Sequence, residues 1–269
     1  MVTETRPVPL TVATDPAHGG RWTSLAGGGR EWLWHRDEPR RAGVAPGDAF
    51  ADAGGLEECV PTVRGLPDHG DAWSRPWRAE GDGYAVECPG FRLTRRVTAE
   101  AGAVVAAYTL RAEPGYRFVW AAHALLDLSP AARLSVDGVD GAVAARLYPD
   151  EGATQVPGTW PSVGGVPLDA LGPDDGTAVG AVVDTARVTV TDGPDTLHMA
   201  VEAEGQPVAV ALWRNLGGFP AGAPYRSTGV EPMLGRGFDR ADGDEGDTAV
   251  VPASGEVSWR LTVTATRRT

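Results

Sequence analysis

The sequence contains no lysine, and all 24 of its Lys-plus-Arg positions are arginine. Lysine Schiff-base chemistry and the lysine of a phosphate-binding loop are therefore excluded. That removes lysine-dependent aldolases, pyridoxal enzymes and Walker-type nucleotide hydrolases. Cysteine is scarce. Cys59 and Cys88 are the two, too few for a disulfide framework or a cysteine-based zinc site. Free thiols and no bound metal are expected. Long apolar runs are missing as well. No stretch approaches the roughly 18 residues of a membrane helix, and residues 1–7 lack the apolar region of a signal peptide. A cytoplasmic protein is expected. Positive charge is in deficit, with a formal net charge of -12. Nucleic acid and anionic membranes, which need basic patches, are not expected partners. Neither a Gly-x-Ser-x-Gly nucleophile elbow nor a His-Glu-x-x-His zinc helix is present.

Glycine and proline are abundant, at 36 and 22 of 269 residues. Between these punctuators lie short runs rich in Val, Thr, Ala, Leu and aromatics. They cover 9–14, 21–25, 84–88, 91–98, 104–111, 117–126, 133–136, 178–183, 187–191, 196–203, 208–213 and 257–266. Several alternate apolar and polar residues, as in Arg187-Val188-Thr189-Val190-Thr191, which suits half-buried strands. Many such runs separated by turn signals predict an all-β, largely antiparallel sandwich or barrel. No linker or repeat interrupts the chain, so 1–269 reads as a single domain. Three stretches, 36–64, 149–175 and 217–247, read as long irregular connections, the kind that often carry function.

The residues suited to chemistry fall in or beside such segments. Leu66-Pro67-Asp68-His69-Gly70-Asp71-Ala72-Trp73-Ser74-Arg75-Pro76-Trp77 sets an imidazole, carboxylates, a guanidinium and two indoles on a loop. Indole faces stack on sugar rings, so Trp73 and Trp77 read as stacking residues. Asp68 and His69 read as partners for hydroxyl groups. Arg75, with Arg78, is suited to grip a carboxylate or phosphate. His123 lies in a predicted strand whose alternation turns Val119, Ala121, His123 and Leu125 to one face. Glu231, between Val230 and Pro232, is poorly placed for solvation, and burial would raise its pKa toward that of a general base. Glu57 and Glu58, after Gly54-Gly55, offer paired carboxylates for sugar hydroxyls or a metal. The acidic run 239–247 lacks the spacing of a calcium loop.

Taken in order, these motifs resemble the aldose 1-epimerase, or galactose mutarotase-like, superfamily. Gly19-Gly20-Arg21-Trp22-Thr23-Ser24-Leu25 and Gly29-Arg30-Glu31-Trp32-Leu33-Trp34 resemble its opening hairpin. His69-Gly70 and the strand containing His123 resemble the segments of its two histidines. Residues 208–215, with Trp213, resemble a strand ending in an aromatic near the sugar. Val230-Glu231-Pro232 resembles the segment of its glutamate, and Pro252-Ala253-Ser254-Gly255-Glu256 its closing turn. The resemblance implies a β-supersandwich and the interconversion of α- and β-anomers of an aldose, without a cofactor. It implies Glu231 as general base, His123 as general acid and His69 as an orienting group. Gly54-Gly55-Leu56-Glu57-Glu58-Cys59 stands where the family has an Arg-Asn pair, and Ala124-Leu125-Leu126-Asp127 follows the second histidine in place of aromatic and Asn residues. These departures imply a divergent subgroup.

The expected partner is a small-molecule sugar, with the protein a monomer or homodimer. Two other readings stay open at this point. One is a non-catalytic carbohydrate-binding or sensor protein on the same fold. The other is a glycoside hydrolase or lyase using Glu57 or Glu58 with Glu231.

Overall fold

The computed structural model describes residues 4–137, 143–149, 155–241 and 246–269. Strands make up 56% and helix 2%, so the class is all-β. Every run predicted as a strand contains one, from Thr11–Asp15 to Glu256–Arg268. The run 117–126 divides into Arg117–Phe118 and Trp120–Leu126.

Two large sheets are present among the described residues. The first runs, in spatial order, Arg133–Val136, Arg187–Asp192, Asp195–Ala203, Glu256–Arg268, Ala103–Ala112, Phe91–Glu100, Gly83–Cys88 and Arg78–Glu80. Thr5–Val8 pairs with the far end of Glu256–Arg268. The second sheet runs Val166–Pro167, Ser162–Val163, Val156–Thr159, Ala144–Tyr148, Ala178–Val183, Val208–Phe219, Tyr225–Leu234, Trp120–Leu126, Leu56–Cys59, Arg21–Gly27 and Thr11–Asp15. Arg30–Glu31 pairs with Arg21–Gly27. All strand pairings in both sheets are antiparallel.

One core fills the space between the sheets, because their facing sides carry the apolar half of each alternation. Trp22, Leu56, Trp120, Ala122, Ala124 and Leu126 from the second sheet join Leu93, Tyr108, Leu110, Trp259 and Leu261 from the first. The rings of Tyr108 and Trp259 stack with centroids 5.1 Å apart. Burying one large side chain of this kind contributes roughly 1.5–3 kcal/mol.

The second sheet also buries its outer face. There Cys59, Ala121, Val182, Ala209, Ala211 and Met233 form a separate apolar cluster. These side chains are mostly small, so they leave room above the sheet for loops and polar groups. Arg41 and Phe50 from the segment 36–55, and His69 from the loop that follows Leu56–Cys59, reach over that face.

Two readings of the connections are corrected here. Glu57 and Glu231 were expected on irregular segments, yet both sit on strands, Leu56–Cys59 and Tyr225–Leu234. Both strands are buried on both faces, which removes the apolar–polar alternation that marks a strand. The run 239–247 lies partly outside the described residues.

Candidate functional site

Strand register brings the ionisable groups into one row. Glu57 pairs with His123 across the Leu56–Cys59 and Trp120–Leu126 strands. Ala121 pairs with Met233 and Leu125 with Gly229, which sets His123 opposite Glu231. Glu231 pairs in turn with Ala211. Directly opposed residues share a face, so Glu57, His123 and Glu231 stand side by side on the outer face of the second sheet. The antiparallel register of Trp22 with Leu56 adds Arg21 beside Glu57.

The histidine and glutamate are close and enclosed. His123 Nε2 lies 3.7 Å from Glu231 Oε1, and Glu231 is 2% exposed. The Glu231 carboxylate makes no hydrogen bond to any described residue. Burial raises its pKa above the ordinary carboxylate range, and His123 opposes the shift only in part. Burial likewise depresses His123, with Glu231 working against that shift. The two groups thus move toward each other in proton affinity.

Gly229 makes room for the carboxylate. A Cβ at this position would collide with Glu231 Oε1 and crowd Trp213 Cβ at 2.9 Å. Trp213, paired with Gly229, forms the adjoining wall, and its indole N–H donates to Ser227 Oγ at 3.2 Å.

His69 reaches the same place from the loop. Its backbone is left-handed, at φ 57°. Its Nδ1 lies 2.7 Å from Asp68 Oδ1. A carboxylate only accepts, so Nδ1 donates and Nε2 is left for a ligand. Burial works to raise the pKa of Asp68, but the His69 bond and charge and the Phe50 N–H outweigh it and hold the carboxylate below its usual range. The His69 and His123 rings meet edge to face, with centroids 5.1 Å apart. Phe50 lies over them both. It stacks on His69 at 3.8 Å and presents an edge to His123 at 5.5 Å.

Around this centre stand further polar groups that sequence reasoning did not single out. Arg41 grips Glu57 with two bonds, Nε to Oε1 at 2.8 Å and Nη2 to Oε2 at 3.0 Å. Burial nevertheless raises Glu57 to about 7, opposed by the Arg41 charge. Tyr225 donates to Asp52 at 2.6 Å, stacks on Trp34 and lies beneath the Arg36 guanidinium. Arg41, Phe50 and Asp52 fall within the 36–64 stretch read as an irregular connection. Its density of Gly and Pro was the available signal.

The structure therefore gathers His69, His123, Glu231, Glu57, Asp68 and Trp213 into one region, and it separates the other candidates. Trp73 and Trp77 are corrected. They are 0% and 4% exposed, with their indole N–H groups bonded to the carbonyls of Asp68 and Ala72, so they pack the loop and offer no face to a ligand. Glu58 points into the space between the sheets, where Arg95, Tyr108 and Trp120 all donate to it. Arg75 bonds Asp71 at 3.2 Å, and both act on the Cys88 thiol of the first sheet. Arg78 is exposed on the Arg78–Glu80 edge strand of that sheet. Cys59 and Cys88 are both free.

No protein-family model and no curated protein matches the sequence. Solved structures match the architecture. The Slr1438 protein of Synechocystis sp. PCC 6803 aligns with a TM-score of 0.70 at 13% identity, covering 98% of this chain and 96% of that one. A galactose mutarotase related enzyme from Lactobacillus acidophilus gives 0.67 at 14%, covering 97% of each chain. A galactose mutarotase-like protein from Lactobacillus casei ATCC 334 gives 0.65 at 13%, covering 97% of this chain and 100% of that one. At such identities the likeness is one of fold, and the chain has the galactose mutarotase-like β-sandwich fold.

Proposed function

We propose that this protein interconverts the α- and β-anomers of an aldose, with Glu231 as general base and His123 as general acid. The observation that carries this reading is the Glu231 carboxylate, buried, without a hydrogen bond to any described residue and 3.7 Å from His123 Nε2. A buried carboxylate without donors costs stability, and such perturbed groups cluster at functional sites.

The chemistry balances within the pair. Glu231 takes the proton of the C1 hydroxyl while His123 gives one to the ring oxygen. The C1–O5 bond breaks and an aldehyde forms. Rotation about C1–C2 exposes the other face of the carbonyl. The protons then return, from Glu231 to the carbonyl oxygen and from the ring-oxygen hydroxyl to His123. O1 and O5 are bonded to the same carbon, so adjacent proton donors and acceptors suit the step. No oxidation state changes and no cofactor is needed. His69, fixed by Asp68, orients the sugar near the ring oxygen.

General acid–base groups contribute about 10²–10⁴-fold each. Glu231→Gln and His123→Asn are therefore expected to slow anomer exchange by about 10²-fold or more, with melting temperatures near wild type. Polarimetry or NMR exchange on an accepted sugar measures this, and wild-type rates in both variants would remove the assignment. A second reading, sugar binding without catalysis, is favoured by Phe50 stacked on His69. Saturable binding with no exchange above the uncatalysed rate distinguishes it. The hydrolase reading loses its second carboxylate, since Arg41 holds Glu57 and Glu58 faces the core.

A further inference from the structure

We propose that Arg21 is the specificity-determining residue of this site and that the preferred sugar carries an anionic group, a carboxylate or phosphate, at the end remote from its anomeric carbon. The inference rests on the anomer-exchange reading of the same site.

Arg21 opens the strand Arg21–Gly27. Trp22 is fully buried in the core, so the alternation of the strand turns Arg21 to the outer face, beside Glu57. The side chain runs over Gly55. Glycine is required there by the backbone, with φ at 84° and a Cβ only 2.5 Å from the Trp22 carbonyl oxygen, and its bare Cα also leaves room for Arg21, whose Nε would lie 3.1 Å from a Cβ.

Gly55 adjoins Leu125, whose N–H donates to the Gly55 carbonyl at 2.9 Å. Leu125 pairs with Gly229 on its other side. Gly55, Leu125 and Gly229 thus form one transverse row, with Arg21 over one end and the Glu231 carboxylate over the other. The ends are two strand spacings apart, about 10 Å. Leu125, on the same face and 1% exposed, stands between the two ends, and a pyranose with one exocyclic substituent that reaches from Glu231 to Arg21 would lie across it, its anomeric carbon at Glu231.

Arg21 is also uncommitted. It makes no side-chain hydrogen bond and no ion pair with any described residue, although it is only partly exposed. The acids whose charge it feels are Glu57, Asp15 and Asp52, and each has its own partners. Glu57 is held by Arg41. Asp52 accepts from Tyr225 and the Gly54 N–H. Asp15 is bonded to His18 and to local backbone N–H groups. A guanidinium kept this way has two parallel donors for a carboxylate or phosphate. Arg75, the sequence-level candidate for that task, is spent on Asp71.

Anomer exchange of D-glucose, D-glucuronate and D-glucose 6-phosphate, measured by NMR on wild type and Arg21→Gln, tests this. Wild type is expected to show a higher kcat/KM for at least one anionic sugar than for glucose. Arg21→Gln should lower that anionic-to-neutral ratio about 10-fold or more. Arg21→Lys is the second variant. It keeps the charge but not the fork, so its ratio should fall between the two, and it serves alone if the Gln variant does not fold. A wild type that favours glucose over both anions overturns the proposal, as does an unchanged ratio in the variants. If wild type exchanges none of the three sugars, the anomer-exchange reading fails separately. Calorimetry with the same sugars then decides for Arg21. Anion binding weakened by the substitution supports it, and equal or absent anion binding overturns it.

Discussion

Glu231 and Glu57 flank His123 on the same sheet face, yet their environments differ. Glu231 has no hydrogen-bond donor among the described residues, whereas Glu57 lies in the two-point grip of Arg41. Burial still raises Glu57 to about 7. An unfolded glutamate releases its proton near about 4.3. Between these values the folded state binds more protons than the unfolded chain, so this group's contribution to stability falls as pH rises. It is complete below the unfolded value and lost as pH passes through about 7. Glu57→Gln should therefore shrink the drop in urea midpoint between about pH 5 and about pH 8. An identical drop in the variant would show that Glu57 is ionised across that range.

At the scale of the element, the strand Tyr225–Leu234 does more than carry Glu231. Its Gly229 leaves the space that the carboxylate fills, with Trp213 of the neighbouring strand closing one side. Gly229→Ala is expected to push the carboxylate off its position beside His123. Misplacement of a reacting group by about 1 Å costs on the order of 10²-fold in rate. The fall should appear in kcat for anomer exchange per folded molecule, and the 2.9 Å approach to Trp213 Cβ should also lower the melting temperature, since overpacking a buried position typically costs about 1–3 kcal/mol. Wild-type kcat in this variant would mean that Glu231 has no defined position to lose.

Across the whole molecule, the adjacent residues Glu57 and Glu58 serve opposite faces of one sheet. Glu58 ties the second sheet to the first through Arg95 at 2.6 Å and Tyr108 at 2.9 Å. Glu58→Gln leaves the buried Arg95 charge uncompensated, a change that typically costs about 3–5 kcal/mol. Urea denaturation should show that loss, while the exchange rate per folded molecule stays within about 2-fold, since Glu58 does not face the site. A loss below about 1 kcal/mol would mean that water or another group takes over the pairing.

Composition and alternation determined the all-β class, because Val- and Thr-rich runs of period two have few other ways to bury one face. Alternation in residues 117–126 also assigned His123 to the face opposite Trp120, as the sheet has it. The strands of Glu57 and Glu231 escaped because both of their faces are buried, which erases the pattern. Trp73, Trp77, Glu58 and Arg75 looked like ligand groups in the sequence, where side-chain chemistry is visible and burial is not. Only tertiary structure decided which carboxylates have donors and that the Arg21 guanidinium has no acceptor among the described residues. Those partners come from segments far apart in the chain, and register across the sheet brings them within reach of one another.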